Sequence, residues 1–600
     1  MPDASSRSGD FGGWTALVIF TALSVAMTWP LVLHLDGRIP AGGHDVFQNL
    51  WNFWWWKTSF FADGSSPYQT DLIFYPSGSS LAFHTHSEAN LFATAPFLLA
   101  WGPVVAHNVA IFVGFVLAGQ GAFLLAQELG LRPWASLVTG ALFAYFPQHV
   151  EQTLEHVNLS SYGTMPLVLL GLLRAVETGS WRAWLGTAAA FAVTSLFAWH
   201  NGMLIAPMAA FVFVVLFFRT RRPRTRVLIE AAIAGFVSAL FVLPFLWPMI
   251  QDSLSGAGKP IKGAVSKPAD LLFLFVPSEM HGLWGDAVQP LYHDHRKYHS
   301  VGFTVYLGWI ALSLAAASFV VRDAAVRSAR FVSSRLCWSL IFAAYLVISL
   351  GGDLLFAGEF TGVPLPFAWL RDAPLFSSVR LAHRFIVPTM LALSILAGFG
   401  SDRLLSRFGG RRPSLLGVAL VALVCLDFLH LPYPLRNVPN PSWTSHVAEA
   451  PKGALLNIPG GYRTRAAEDM FLQSRHGRAL LGGYVSVTPK HVKALLEEHP
   501  FLRNVYEGRP KVDLPAKDHL PRLLADLPIG VVALHHHRTR ERLSARRAQE
   551  RGVHKRLYNP EKGIPAAKLA EIREVLREEF GEPYYRDEDV ELFRRPETAR

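Results

Sequence analysis

The chain contains eleven apolar runs that are long enough, or nearly long enough, to cross a bilayer as helices. A helix needs about 20 consecutive apolar residues to span the hydrocarbon core. This series predicts an all-α polytopic membrane bundle, and so a multi-pass protein of the cell membrane. The runs cover residues 14–34, 104–128, 134–147, 159–176, 184–199, 203–218, 227–250, 303–321, 336–351, 379–400 and 413–433.

Composition supports a membrane class. Only 17% of residues are charged, whereas soluble domains carry about 25%. The 42 Phe and 17 Trp are typical of lipid-facing helices with aromatic belts. Cys337 and Cys425 both lie in apolar runs, which excludes a disulfide scaffold. The net charge of +11 does not indicate nucleic-acid binding, because its densest clusters fall in short loops where membrane topology explains them.

Lysine and arginine in short loops mark the cytoplasmic side of a membrane protein. With a cytoplasmic N-terminus, and with 184–218 split into two spans, the basic segments 219–226, 322–335 and 403–412 all face the cytoplasm. The transmembrane domain then covers residues 1–438, and residues 439–600 form an extracytoplasmic soluble α/β domain. Four loops face outward, of which the first and third are large: 35–103, 148–158, 251–302 and 353–378.

The polar C-terminal region alternates between strand and helix patterns. Short apolar runs predict strands, and residues 565–580 place apolar side chains on one helical face. The predicted elements are a strand at Ala454–Ile458, an apolar run at Ile529–Leu534, a helix at Pro565–Phe580 and a strand at Val590–Phe593.

The first outward loop places polar residues at helical spacing beside the membrane. Asp45, Gln48, Asn49 and Asn52 share one helical face, and His44 precedes them. Two interpretations are compatible with this pattern. Asp45 is a functional carboxylate at the membrane surface, or it caps the helix with Gln48 as its capping-box partner.

The second outward loop carries Glu151, Glu155 and His156. Carboxylates at a membrane surface act as a general base or hold a divalent cation, although a solvated amphipathic turn also explains Glu151. Histidines beside acids, as in His84-Thr85-His86-Ser87-Glu88 and Tyr292-His293-Asp294-His295 with His299, allow a zinc site but match no familiar ligand spacing. His535-His536-His537 is predicted to be a polar turn.

Arg380, His383 and Arg384 lie at the outer end of a predicted span. Arginine at this depth is costly and is usually functional or paired, and its planar fork suits phosphate. Anion binding and an ion pair with Asp372 or Asp353 both fit the pattern.

Taken together, these segments resemble the GT-C superfamily of polytopic glycosyltransferases that use lipid phosphosugars, and more closely a bacterial group within it. The likeness covers most of the chain and is architectural more than motif-specific. Many such enzymes carry two adjacent acids in the first loop. Here the pair is His44-Asp45, so a second acid would come from Glu88, Glu151 or Glu155. The matching segments are Gly43 to Trp51, Tyr75-Pro76-Ser77-Gly78, His156-Val157-Asn158-Leu159, Arg380 to Phe385, Asn457-Ile458-Pro459 and Gly482-Gly483-Tyr484-Val485-Ser486.

The resemblance implies transfer of a sugar from a polyprenyl-phosphate donor to a glycan, lipid or protein acceptor at the outer membrane face. Catalysis is assigned to Asp45 as base, with Glu155 and His156 orienting the acceptor or a metal. No cofactor is required by the sequence, and a divalent cation, Mg²⁺ or Mn²⁺, is compatible with these residues. Substrate contacts are assigned to His44, Asn49, Glu88, Glu151, Arg380, His383 and Arg384.

Two other functions are compatible with the same sequence. A transporter or flippase of lipid-linked glycans usually carries charge deep within its spans and internal symmetry, whereas the charges here lie near the outer surface and no repeat is evident. A non-catalytic protein of envelope assembly predicts outward acids and arginines that do not converge.

Overall fold

The computed structural model describes residues 11–256, 267–295, 304–321, 331–370, 381–408, 413–450, 453–460, 464–507, 514–549 and 563–596. It is mostly helical. The amino-terminal helices are α1 (Gly13–Met27), α2 (Asp45–Trp56), α3 (Glu88–Ala93), α4 (Ala95–Trp101), α5 (Pro103–Glu128), α6 (Pro133–Tyr145), α7 (Pro147–Thr153), α8 (Val157–Ser160), α9 (Met165–Thr178), α10 (Trp181–Phe197), α11 (Trp199–Arg219) and α12 (Arg224–Leu254).

The rest of the chain adds a second group of bundle helices and a set of shorter polar ones. The bundle helices are α13 (Gly285–Asp294), α14 (Trp309–Val320), α15 (Arg335–Ser349), α16 (Phe367–Leu370), α17 (Ile386–Phe408) and α18 (Pro413–Asp427). The later ones are α19 (Trp443–Ala448), α20 (Thr464–His476), α21 (Lys490–Glu498), α22 (Pro500–Glu507), α23 (Ala516–Asp526), α24 (Arg540–Gln549) and α25 (Ala566–Phe580).

A helix overlaps each of the eleven predicted apolar runs. Among the described residues, five segments are long and apolar enough to cross a membrane: 103–128, 157–178, 199–219, 224–254 and 382–408. The number of true spans therefore stays a prediction. The run over 184–218 forms two helices, α10 and α11, because Ala198 between them is extended.

Two predicted spans are shorter than expected, for local reasons. The helix in run 14–34 ends at Met27, shortly before Pro30, which lacks a backbone N–H and cannot continue it. The helix in run 303–321 begins only at Trp309, after Gly308 adopts φ of +93°, a left-handed conformation that favours glycine.

Ten short strands complete the part of the fold that the structure describes, and four of them form the C-terminal sheet. This sheet has the order β7-β8-β10-β9, with β7 parallel to β8 and the other pairs antiparallel. Strands β7, β8 and β10 and helix α25 coincide closely with the elements predicted at 454–458, 529–534, 565–580 and 590–593, whereas β9 was not predicted. The strands are β1 (Arg38–Pro40), β2 (Gln69–Thr70), β3 (Ser79–Ser80), β4 (Asp353–Phe356), β5 (Glu359–Pro364), β6 (Leu435–Asn437), β7 (Ala454–Ile458), β8 (Ile529–His535), β9 (Tyr585–Arg586) and β10 (Val590–Arg594).

The apolar core of the C-terminal region includes helix α2 from the first predicted outer loop. Phe47 of α2 stacks on Phe471 of α20, with 5.5 Å between ring centroids. The Trp51 indole donates a 2.8 Å hydrogen bond to the Gln473 side chain. The two sides of the predicted boundary at residue 439 thus share one core, and α2 is held by the C-terminal region.

Candidate functional site

The structure brings together Asp45, Glu155 and His156 from two loops about 110 residues apart in the chain. His156 Nδ1 lies 3.4 Å from Asp45 Oδ2, and His156 Nε2 lies 3.9 Å from Glu155 Oε2. All three side chains are partly exposed, between 17% and 27%. The group is therefore open to a ligand rather than sealed in the core.

Two glycines and one amide hold the loops together. The Gly43 N–H donates to Glu155 Oε1 at 2.9 Å, and Asn49 Nδ2 donates to the backbone carbonyls of both Asp45 and Glu155. A Cβ at Gly42 would lie 1.9 Å from the Leu154 carbonyl oxygen, so the close approach requires glycine there. Asn49 is buried and positions the two acids through their backbone.

Asp45 is the first residue of α2, and its carboxylate does not cap the helix. No side chain caps this N-terminus. Gln48 instead accepts from the Thr85 hydroxyl at 3.0 Å and lies 3.4 Å from His84. The capping-box interpretation is therefore wrong. The carboxylate is left for contacts outside the helix.

Two residues beside this group were not assigned from the sequence. The Tyr484 hydroxyl donates to Asp45 Oδ1 at 2.9 Å, across 439 positions of sequence. Arg436 on β6 donates to the Gly43 carbonyl at 3.1 Å and lies over the Phe47 ring at 4.2 Å. The Gly482-Gly483-Tyr484 segment was a visible motif, but nothing in it indicated a contact with Asp45.

Glu151 lies in α7, four residues before Glu155, but is buried in a separate polar cluster. Its carboxylate accepts from the Ser278 and Thr304 hydroxyls, and His430 Nε2 lies 3.4 Å away. The expected solvated turn is therefore wrong. This burial argues against direct substrate contact and for a role in holding α7, which carries the chain into Glu155 and His156.

Glu88 is also buried, and its described contacts lie at the far end of α2. The Tyr68 hydroxyl donates to Glu88 Oε1 at 2.7 Å. His86, two residues earlier, accepts from the Trp56 indole at 3.1 Å. Trp56 follows Asp45 by eleven residues, or ~16 Å along a helix. A substrate contact by Glu88 beside Asp45 has no support in this arrangement.

Burial raises the pKa of Glu88 to about 7, so it is neutral in the folded protein below that pH. An unfolded glutamate ionises near pH 4.5. The stabilising contribution of Glu88 is therefore fully present below pH 4.5 and lost as pH rises through 7. Its size is about 3 kcal/mol.

We expect Glu88→Gln to unfold at a higher temperature than wild type at pH 8, and to lose this advantage by pH 5. Thermal unfolding of the full chain in detergent at both pH values measures the difference. Glu497→Gln, at an exposed acid, is the control and should follow wild type. A Glu88→Gln advantage that is equal at pH 5 and pH 8 would contradict the assignment. Burial lowers the pKa of His86 to about 3. His86 is present in both proteins, so its contribution to stability cancels from the difference between them.

The predicted phosphate-binding residues are described only in part. Arg380 lies outside the described residues. His383 is buried beside the backbone carbonyl of Lys267, whereas Arg384 is half-buried next to the start of α17. His44 precedes α2 and is half-buried beside the acid group. The roles of these residues in substrate binding stay predictions.

A group able to hold a metal ion is present. One atom from each of Asp45, Glu155 and His156 lies within 4.8 Å of the others. Two carboxylates and an imidazole are ligands for Mn²⁺ and Zn²⁺, and the carboxylates also suit Mg²⁺. Among the described residues, the histidine pair at 84 and 86 does not belong to such a group.

Comparison with solved structures shows the fold. The chain is similar to the arabinofuranosyltransferase AftD from Mycobacteria, with TM-score 0.53 and 14% identity over 88% of this chain and 36% of that one. The oligosaccharyltransferase AglB from Archaeoglobus fulgidus, in complex with an inhibitory peptide and a dolichol-phosphate, gives TM-score 0.45 and 12% identity over 87% of this chain and 69% of that one. ArnT from Cupriavidus metallidurans gives TM-score 0.34 and 14% identity, over 78% of this chain and 85% of that one.

The likeness to AftD, at 14% identity, shows that the two chains share a fold. The chain belongs to the family described as a domain of unknown function (DUF6311), whose model matches residues 16–430. It spans about a third of the length of AftD. Comparison with curated proteins finds no match.

Proposed function

We propose that the protein is an integral membrane glycosyltransferase that moves a sugar from a polyprenyl-phosphate donor to an envelope glycan, lipid or protein acceptor. Transfer takes place at the outer face of the cell membrane, with the N-terminus in the cytoplasm and the C-terminal region outside. The observation that carries the proposal is the convergence of Asp45, Glu155 and His156, partly exposed, within a GT-C fold.

In this proposal Asp45 is the general base. Tyr484 donates to Oδ1 and the His156 ring faces Oδ2, so the carboxylate is oriented by two groups and remains partly exposed. It takes the proton of an acceptor hydroxyl. The acceptor oxygen then forms a bond to the anomeric carbon, and the bond from that carbon to the donor phosphate breaks, leaving the electron pair on the phosphate.

The departing phosphate needs positive charge close to the acid group. In this proposal Arg380 and Arg384 supply it. Arg436 is a further arginine close to the site. It donates to the Gly43 carbonyl, and the N–H of the same Gly43 donates to Glu155. Its guanidinium is held over Phe47, and this packing limits its freedom and keeps its charge close to the acids.

Asp45, Glu155 and His156 are the residues that would hold a divalent cation, Mg²⁺ or Mn²⁺. Such an ion supplies Lewis-acid stabilisation of negative charge on the leaving phosphate. Glu155 is positioned for this by the Gly43 N–H and by Asn49. His156 lies between the two carboxylates and separates their charges.

Reconstituted membranes holding the full chain test the proposal. They are given radiolabelled polyprenyl-phosphate sugars and an envelope extract as acceptor, with and without chelator. We expect label to leave the lipid and appear in the acceptor fraction, and empty membranes are the control. Movement of intact lipid-linked sugar across the bilayer without transfer would instead identify a flippase. Neither transfer nor movement would favour a non-catalytic role.

A further inference from the structure

The turn between α11 and α12 concentrates positive charge at the ends of two helices that are long and apolar enough to cross a membrane. Helix α11 ends at Arg219 and α12 begins at Arg224. A connection this short reaches less than about 20 Å even when it is fully extended, whereas the hydrocarbon core is ~30 Å thick. Both helices therefore end at the same surface of a bilayer that they cross. The arginines of this segment are Arg219, Arg221, Arg222, Arg224 and Arg226.

Glu230, two turns into α12, neutralises two of these arginines. Arg222 Nη2 donates to both oxygens of the Glu230 carboxylate at 2.8 Å, and Arg226 Nε donates to Oε1 at 3.1 Å. Arg222 also donates to the backbone carbonyls of Ala175 and Val176 at the end of α9. Arg222 is therefore a structural group that joins α9 to α12.

The other three arginines are exposed, and no ion pair joins them to a carboxylate of the described residues: Arg219, Arg221 and Arg224. The Arg219 guanidinium lies 5.1 Å from the centre of the Phe331 ring. That of Arg224 lies 5.9 Å from the Phe217 ring and 5.5 Å from the Phe218 ring. The rings hold these cations in place by cation–π attraction, and the edges of the guanidinium groups stay available for an oxyanion.

Exposed apolar surface continues directly from this charge. Phe211, Val214 and Phe218 share one face of α11 and are 37%, 49% and 63% exposed. On α12, Leu228 lies one turn after Arg224 and is 49% exposed. Positive charge at the level of the headgroups, with an apolar helix face below it, matches an amphiphile that has a phosphate at one end and an acyl chain at the other.

We propose that this corner of the bundle binds an anionic phospholipid. Arg219, Arg221 and Arg224 take the headgroup, since a guanidinium matches phosphate geometry and basic residues beside a membrane attract anionic lipid. An acyl chain lies along the exposed face of α11. The bias of basic loops toward one side of a membrane explains why charge is present here, but it does not explain why two arginines are neutralised while three are held over aromatic rings.

Thermal unfolding and native mass spectrometry of the full chain in detergent test this proposal. The probes are phosphatidylglycerol and phosphatidylcholine with the same acyl chains, and glycerol phosphate as an anionic headgroup without chains. We expect phosphatidylglycerol to raise the melting temperature more than phosphatidylcholine does, and to remain bound in the mass spectrum. Glycerol phosphate at the same concentration should leave the melting temperature unchanged, because it has no chain to cover the apolar face.

Arg224→Gln is expected to weaken phosphatidylglycerol binding about fivefold, and Arg221→Gln with Arg224→Gln roughly 25-fold, since each basic residue near an anionic membrane contributes about a factor of five. Both side chains are exposed and outside the Glu230 ion pairs, so the variants should fold. The matched control is Arg407→Gln. Arg407 is also exposed, and its guanidinium lies over the Phe408 ring in the last turn of α17. This variant should bind the lipid as wild type does.

Three results would overturn the proposal. Equal stabilisation by the two lipids would remove the preference for an anionic headgroup. Equal stabilisation by glycerol phosphate and phosphatidylglycerol would identify a site for a soluble anion instead. Binding by the double variant that equals binding by wild type or by Arg407→Gln would remove these arginines from the site. None of these measurements requires sugar transfer, so their outcome is separate from that of the transfer assay.

Discussion

Asp45→Asn is expected to lower the rate of sugar transfer by about 10²–10⁴-fold, the range that a general base contributes. Asparagine has nearly the same shape as aspartate, and its amide oxygen still accepts the Tyr484 hydrogen bond. The variant should therefore fold and insert as wild type does. What it loses is the ability to take a proton from the acceptor hydroxyl. Initial rates in the reconstituted transfer assay measure the effect.

Asp63→Asn is the matched control, because Asp63 is an exposed acid on the same predicted outer loop. It should transfer sugar at the wild-type rate. Both variants are compared at equal membrane content and equal melting temperature, so that loss of protein is not counted as loss of activity. Full activity in Asp45→Asn would remove Asp45 from the base role, and Glu155→Gln would then be the next variant.

Secondary structure could be predicted from this sequence to a large extent, because it depends on local patterns. Long apolar runs and short β-rich runs located helices and strands within a few residues, including β7 at Ala454–Ile458. Ends were less predictable where one residue decides them. Pro30 follows closely on the end of the first helix, and Gly308 delays the start of α14. The number of true spans depends on how much of each helix lies in the membrane, and the pattern of apolar residues alone does not determine this.

The grouping of Asp45 with Glu155 and His156 was predictable for a topological reason. The charge of the basic loops assigns both acidic loops to the outer side of the membrane. Loops on the same side of a helix bundle lie at the same ends of its helices, so they can approach each other. The contacts of Tyr484 and Arg436 were not predictable in this way. They depend on how the C-terminal region packs on α2, through pairs such as Phe47 with Phe471, and no local pattern encodes that packing.

The burial of Glu151 and Glu88 shows the opposite limit. Both acids lie in segments that look polar and surface-like. Glu88 is satisfied by the Tyr68 hydroxyl, and Glu151 by hydroxyl and imidazole groups from distant segments. Ser278 and His430 reach Glu151 from 127 and 279 positions away. Buried charges need such partners, but the sequence does not indicate which residues supply them.

Asp469→Asn is expected to destabilise the C-terminal region by about 3–5 kcal/mol, since removing one partner of a buried ion pair leaves the other charge uncompensated. Arg538 would then be buried without its ion-pair partner and close to the charge of Arg465. Guanidinium titration of the full chain in detergent, followed by near-UV circular dichroism, measures the loss. The matched control is Asp526→Asn. Asp526 pairs with Arg522 at the surface, where such pairs contribute about 0–1 kcal/mol.

The size of the loss distinguishes a buried ion pair from a surface one, because only the buried partner is left without solvent when its carboxylate is removed. A loss below about 1 kcal/mol would contradict the burial of the pair itself.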